Sequence, residues 1–180
     1  MKKIHIYAKR LGTIAHYIGV ICEYVVIILL GIWLNNLLKL PSITNISLMI
    51  VGILIIILGI FLIAWSSWLQ FKIGKGTTGF SEPTKELVTY GPYGIVRNPM
   101  MEGQFLFFIG IGLLLDLVAM FLILPIIILA IHLFTVFIEE PNLKKRFGEK
   151  YINYCEKVPR WFPRLKRTQK DIRDLHPSHS

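Results

Sequence analysis

Apolar residues fall along this chain in long unbroken blocks divided by short polar segments, instead of recurring every three or four positions as on a surface helix. The first block runs roughly from Ile14 to Leu38 and the second from about Ile46 to Trp68. The second is nearly pure Ile, Leu, Val and Gly, with Trp65 and Trp68 placed as interfacial anchors. The third, Met100 to Ile138, is nearly twice the ~20 residues that a membrane span needs. Asp116 interrupts it near the middle. A carboxylate is costly at the bilayer centre, so Asp116 predicts the turn of a helical hairpin. Four spans result, at about 14–38, 46–68, 100–115 and 117–138. The short link Lys39–Asn45 makes the first two antiparallel. The first block is too long for a signal-peptide core and lacks a small-residue cleavage site, so it reads as a retained span. The expected fold is an all-α integral membrane protein.

Composition agrees with that pattern. Of 180 residues, 54% are hydrophobic and 17% charged, and the mean hydropathy is +0.59. A single domain, 1–180, is expected. The net charge of +9 raises nucleic acid as a partner, but the basic residues flank apolar spans, where Lys and Arg set orientation and meet anionic lipid headgroups. Nucleic acid is therefore not expected. Lys2, Lys3, Lys9 and Arg10 precede the first span, four more cations lie between Phe71 and Pro99, and eleven follow Glu139, against Lys39 alone on the other side. The positive-inside rule places both termini and the middle loop in the cytosol, with the cell membrane the expected location. Cys22 and Cys155 support neither a disulfide framework nor a metal site, and no His/Cys/Asp/Glu set has metal-ligand spacing.

The informative polar residues lie in two blocks on the expected cytosolic side, 74–103 and 139–164. The hairpin brings its own ends together, so Asn98 and Glu139 should be neighbours. Downstream, Leu143, Phe147, Tyr151, Tyr154 and Val158 recur at helical spacing and predict one amphipathic helix against the membrane or the bundle, ended by Pro159. Trp161 and Phe162 can anchor the remainder of the tail. Gly74-Lys-Gly-Thr-Thr-Gly79 has the glycine pattern of dinucleotide-binding folds, but it comes after a membrane helix where that motif requires a strand. It reads as a flexible loop, or as one that lets backbone amides approach a ligand.

Gly91-Pro-Tyr-Gly-Ile-Val-Arg-Asn-Pro-Met100, then Glu139-Glu-Pro-Asn-Leu143, Phe147-Gly148, Tyr151, Tyr154 and Val158-Pro-Arg160, together resemble the isoprenylcysteine carboxyl methyltransferase family and the related phospholipid N-methyltransferases. The resemblance covers roughly Gly74 to Arg164. It implies S-adenosylmethionine held between the loop, the hairpin ends and the tail. Lys85, Leu87 and Val88 would give backbone contacts to it, Tyr93, Asn98, Pro99, Met100 and Met101 would enclose it, and Glu139 would bind its polar end. Because that cofactor site would sit at the mouth of an apolar hairpin, a lipophilic or prenylated methyl acceptor entering sideways from the bilayer is expected, with membrane lipids as further partners. Three positions depart from the pattern: Asn98 stands where eukaryotic members have His, Met101 where Tyr is usual, and Thr135 where the carboxyl methyltransferases place the Arg that holds the substrate carboxylate.

Glu139, Glu140, Arg97 and Asn98 are the candidate catalytic residues. Glu139 and Glu140 point about 100° apart on a helix, so one is expected to face the cofactor while the other pairs with Arg160 or Arg164. His132, Thr135 and Glu139 share a helix face and are expected, with Arg160 and Arg164, to meet the acceptor. For Arg97, Arg160 and Arg164 the plainer role is binding lipid headgroups, and for His132 tying helices together. Glu23 and His16 are further ionisable residues within a span. The accepting atom is expected to be a carboxylate of an isoprenylcysteine-like lipid, with a lipid amine as the alternative. The rival classes are a non-enzymatic membrane scaffold and a small transporter or channel, the latter opposed by four short spans without repeated halves.

Overall fold

A computed structural model of the chain describes residues 2–43, 45–75 and 84–163, and in the first helix side chains from position 14 onward except those of His16 and Tyr17. The regular elements among these residues are helical: α1 (Lys2–Leu37), α2 (Ile46–Lys72), α3 (Pro99–Leu114), α4 (Val118–Phe134), α5 (Glu140–Phe147) and α6 (Glu149–Lys157). Ile18–Leu37, Ile46–Lys72 and the continuous rod Val118–Phe147 are long and apolar enough to cross a membrane. α3, with 16 residues, is about 24 Å long and pairs along α2. The chain is an all-α integral membrane protein, as its apolar blocks predict. Its outer surface is correspondingly oily, with Leu54, Ile57 and Phe61 of α2 and Ile126 of α4 exposed.

Lipid tails are as apolar as Leu, so membrane helices associate through close van der Waals packing instead of by leaving water. Small residues make that possible between α2 and α3. Gly52, Gly59 and Ser66 recur every seven residues on the buried face of α2, opposite Gly110 and Gly103 of α3. A Cβ on Gly59 would stand 2.7 Å from the Gly103 carbonyl oxygen, and one on Gly52 2.9 Å from that of Gly110. The two backbones therefore run in contact.

At one end of the bundle the two helical turns hold each other. α1 stops where Lys39 takes a positive φ of 49°, and the Leu40 and Lys39 amides return to the Asn35 and Asn36 carbonyls. Asn45 caps α2 by accepting from the Leu48 amide at 3.0 Å. Asp116 occupies the α3–α4 turn with φ +56° and accepts the Ile43 amide at 3.0 Å. The Asn35 side chain accepts from the Ala119 amide at 3.2 Å, which satisfies a donor that the first turn of α4 leaves open.

Three boundaries differ from the sequence expectation. α1 begins at Lys2, not near Ile14. Its basic first turns contain good helix formers and no proline, so the helix continues beyond its apolar window. α4 runs through a five-residue π-turn, Thr135–Glu139, into α5. The expected single tail helix is two: α5 ends at Gly148, whose φ of 56° and ψ of −134° suit only glycine well, and α6 leaves in a new direction. Leu143, Phe147, Tyr151, Tyr154 and Val158 still gather in one cluster, joined by Leu87, because the bend folds one apolar face onto the other.

Candidate active site

Between the inner half of α1, α2, α3, the π-turn and α5 lies a cavity of about 1050 Å³, at the upper end of the usual size for small-molecule sites. Its deep part is apolar, walled by Val20, Ile21, Ile60, Ile63, Phe107 and Ile131. Its other end is polar and gathers Gln70, Tyr93, Arg97, Asn98 and Glu139. Asn98 opens α3, with Pro99 at the first helical position, where proline's missing N–H costs nothing. Glu139 closes the π-turn. The hairpin thus brings Asn98 and Glu139 to one cavity.

The adjacent carboxylates divide. Glu140 is buried and held by both sides of the Arg160 guanidinium, Nε to Oε1 at 2.6 Å and Nη2 to Oε2 at 3.0 Å. Arg97 Nη1 lies 3.0 Å from the same Oε1 and donates to Cys155 Sγ at 2.7 Å. Hydrogen bonding to Glu140 holds the Arg160 guanidinium above its usual range. Glu139 instead accepts from the Thr135 hydroxyl at 3.4 Å and lines the cavity. The π-turn sets this division: the Glu140 amide reaches back five residues to the Thr135 carbonyl, which shifts the register between the two carboxylates.

The tail is fastened under the loop. The Arg97 amide donates to the Pro159 carbonyl at 2.9 Å, Val158 is fully buried, and the Tyr154 hydroxyl donates to the Tyr93 carbonyl at 2.7 Å. Burial pushes the Tyr93, Tyr151 and Tyr154 phenols well above the usual range, so they stay neutral donors.

Leu87, Val88, Tyr93, Asn98, Met100, Met101, Thr135, Glu139, Glu140 and Arg97 all reach the cavity wall. Pro99 is buried behind it. Three expected residues stand differently. Lys85 is exposed and its amide is committed to the Gly74 carbonyl at 2.7 Å, because this loop closes on the end of α2. His132 does not line the cavity with Thr135 and Glu139: its Nδ1 accepts from Nε1 of Trp161, which the tail brings to 2.9 Å from it. Arg160 is outside the cavity wall and pairs with Glu140, the pairing expected of one of the two adjacent carboxylates. Arg164 and positions 76–83 of the glycine loop lie outside the described residues.

Other wall residues are not evident from the motifs. Gln70 hydrogen-bonds Tyr93, yet its buried Oε1, like Arg97 Nε, has no hydrogen-bond partner among the described residues. Glu23, Tyr24 and Gln104 line the deeper wall. The one signal for them in the sequence is a polar side chain inside an otherwise apolar span. Among the described residues no group of three or more His, Cys, Asp and Glu gathers as metal ligands would.

Comparison with known proteins gives one family and one relative. Residues 47–150, more than half of the chain, match the family described as phospholipid methyltransferase. The nickel-cobalt-cadmium resistance protein NccN of Alcaligenes xylosoxydans xylosoxydans is 30% identical over 80 residues, 44% of this chain and 37% of that protein. The chain therefore matches a little over a third of that relative's length. No solved structure matches.

Proposed function

As the chain belongs to the phospholipid methyltransferase family, we propose that it methylates a lipophilic acceptor within the membrane, with S-adenosylmethionine as the donor. The observation that carries this reading is one continuous cavity, apolar at its deep end and polar at the other, where a soluble cofactor and a lipid can meet. The polar end fits the cofactor's amino-acid moiety. Gln70 Oε1, an orphaned buried acceptor, and the Glu139 carboxylate suit its ammonium, while Leu87, Val88, Tyr93, Asn98, Met100 and Met101 enclose the remainder. When bound, S-adenosylmethionine supplies a methyl group on a sulfonium, open to in-line displacement. The protein's part is to align the acceptor behind that carbon and to exclude water.

The acceptor we favour is the carboxylate of an isoprenylcysteine-like lipid. The Arg97–Glu140–Arg160 cluster sets two cations against one anion, and Arg97 keeps a buried N–H with no partner among the described residues. Arg97 can thus hold the acceptor carboxylate where Thr135 replaces the expected Arg. Glu23 and Glu139 in the same wall favour a second reading, a lipid amine, which must lose a proton before it attacks. In either reading the polar end faces the cytosol, with both termini on that side of the cell membrane.

The test is methyl transfer from labelled S-adenosylmethionine to prenylcysteines and to aminolipids, together with cofactor binding read as a rise in Tm. The shift should shrink in Glu139→Ala and Gln70→Ala and persist in Lys85→Ala. No shift at millimolar cofactor overturns the reading. Methylation of aminolipids alone moves the accepting atom from oxygen to nitrogen.

A further inference from the structure

Glu23 is unexplained by the cofactor end of the cavity. It lies on α1, nine residues inside the apolar block that begins near Ile14, or about 13.5 Å along the helix. Its side chain faces the cavity, and it makes no hydrogen bond or ion pair with any described residue. Beside it Tyr24 hydrogen-bonds Gln104 and packs its ring against Phe107 and Phe108 at centroid distances of 5.4 and 5.0 Å. These contacts fix the local face of α1 and present Glu23 beside a polar pair in an otherwise apolar wall. The cationic side chains of the wall, Arg97, Lys145 and Arg146, belong to the loop before α3 and to α5, at the polar end. Among the described residues none of these cations forms an ion pair with Glu23.

A carboxylate held in a bilayer is costly unless it meets a partner. Here the cavity brings the partner's place with it. Glu23 stands before the segment that matches the family, residues 47–150. We propose that Glu23 is a specificity-determining residue that takes a protonated amine carried by the lipophilic acceptor, with the Tyr24–Gln104 pair beside it. This rests on the acceptor reading above and holds for either accepting atom. The cationic nitrogen is then either the neighbour of the methylated carboxylate or, once its proton has passed to the Glu23 carboxylate, the methylated atom itself.

Binding separates the two ideas. The full chain, purified in an uncharged detergent, is titrated with dodecylamine and with dodecanol, which share a tail and differ in the cation. Wild type is expected to bind the amine on the order of tenfold more tightly, a charge-assisted hydrogen bond's worth of preference. Glu23→Gln abolishes the preference, Glu23→Asp keeps most of it, and Glu102→Gln, on α3 but outside the cavity wall, leaves it unchanged. Equal preference in wild type and Glu23→Gln, or none in wild type, overturns the proposal. S-adenosylmethionine binding, measured in parallel, is expected to survive in Glu23→Gln. Its absence in wild type alongside an intact Glu23-dependent amine preference would remove the methyltransferase reading and leave the amine site standing.

Discussion

Replacing Glu140 by Ala tests whether one ion cluster holds the polar end together. The side chains of Arg97 and Glu140 are 11% and 10% exposed, and that of Arg160 26%. Removing the carboxylate leaves two guanidinium groups facing each other with their shared anion gone. Breaking a buried pair by removing one partner costs about 3–5 kcal/mol. Arg160 retains some water, so the lower figure, about 3 kcal/mol, applies. For a chain of this length that is a fall in Tm on the order of 6–12 °C. Arg160→Met should cost less, because Arg97 and Glu140 remain as a neutral pair at 3.0 Å. The order matters more than either magnitude. Thermal melts of both variants in detergent, with limited proteolysis after Lys157, measure it: Glu140→Ala should melt lower and release the tail to protease first. Equal Tm values for wild type and Glu140→Ala, or a larger loss in Arg160→Met, would refute the cluster as the clasp.

Gly103→Ala should destabilise by about 1–3 kcal/mol, the cost of overpacking, because its Cβ would meet Gly59 O at 2.9 Å and Ile63 Cγ1 at 2.8 Å. Gly19→Ala, with nothing within 4 Å, should be neutral or better in the same melts. Tyr154→Phe leaves the buried Tyr93 carbonyl unpaired and should cost about 1–3 kcal/mol. The raised phenols of Tyr93, Tyr151 and Tyr154 also give alkaline sensitivity. Their stabilisation is complete below the unfolded value of about 10 and falls as pH rises beyond it, because the unfolded chain then loses the protons first. A Tm series across that range should slope downward in wild type and less steeply in Tyr154→Phe. In a Cys22→Ala/Cys155→Ser background, single cysteines at Lys75 and Glu156 should be labelled from the cytosol and those at Ser42 and Leu115 from outside. Cytosolic labelling at Leu115 would break the hairpin.

Much of the architecture was legible in one dimension, because membrane spans are written as uninterrupted apolar length and their ends as isolated polar residues. Asp116 at the hairpin turn is an example: an ionised side chain cannot sit at mid-bilayer, so its position alone fixes where the chain reverses. The nearness of Asn98 and Glu139 came from that reversal. Local composition also marked Leu143 to Val158 as one apolar face. What the sequence could not show depended on backbone geometry between helices. The π-turn at Thr135–Glu139 inserts a residue into the helical count, and no residue type announces it. It leaves Glu139 in the cavity and delivers Glu140 to Arg97 and Arg160, while the tail brings Trp161 to His132. Gly148 lies inside the stretch that the spacing of Leu143 to Val158 predicts as one helix, and only its φ shows it as the bend between two. Gln70 and Glu23 became wall residues for the same reason: single polar positions in apolar spans say that a partner exists, and the three-dimensional crossing of α1, α2 and α3 decides which cavity they face.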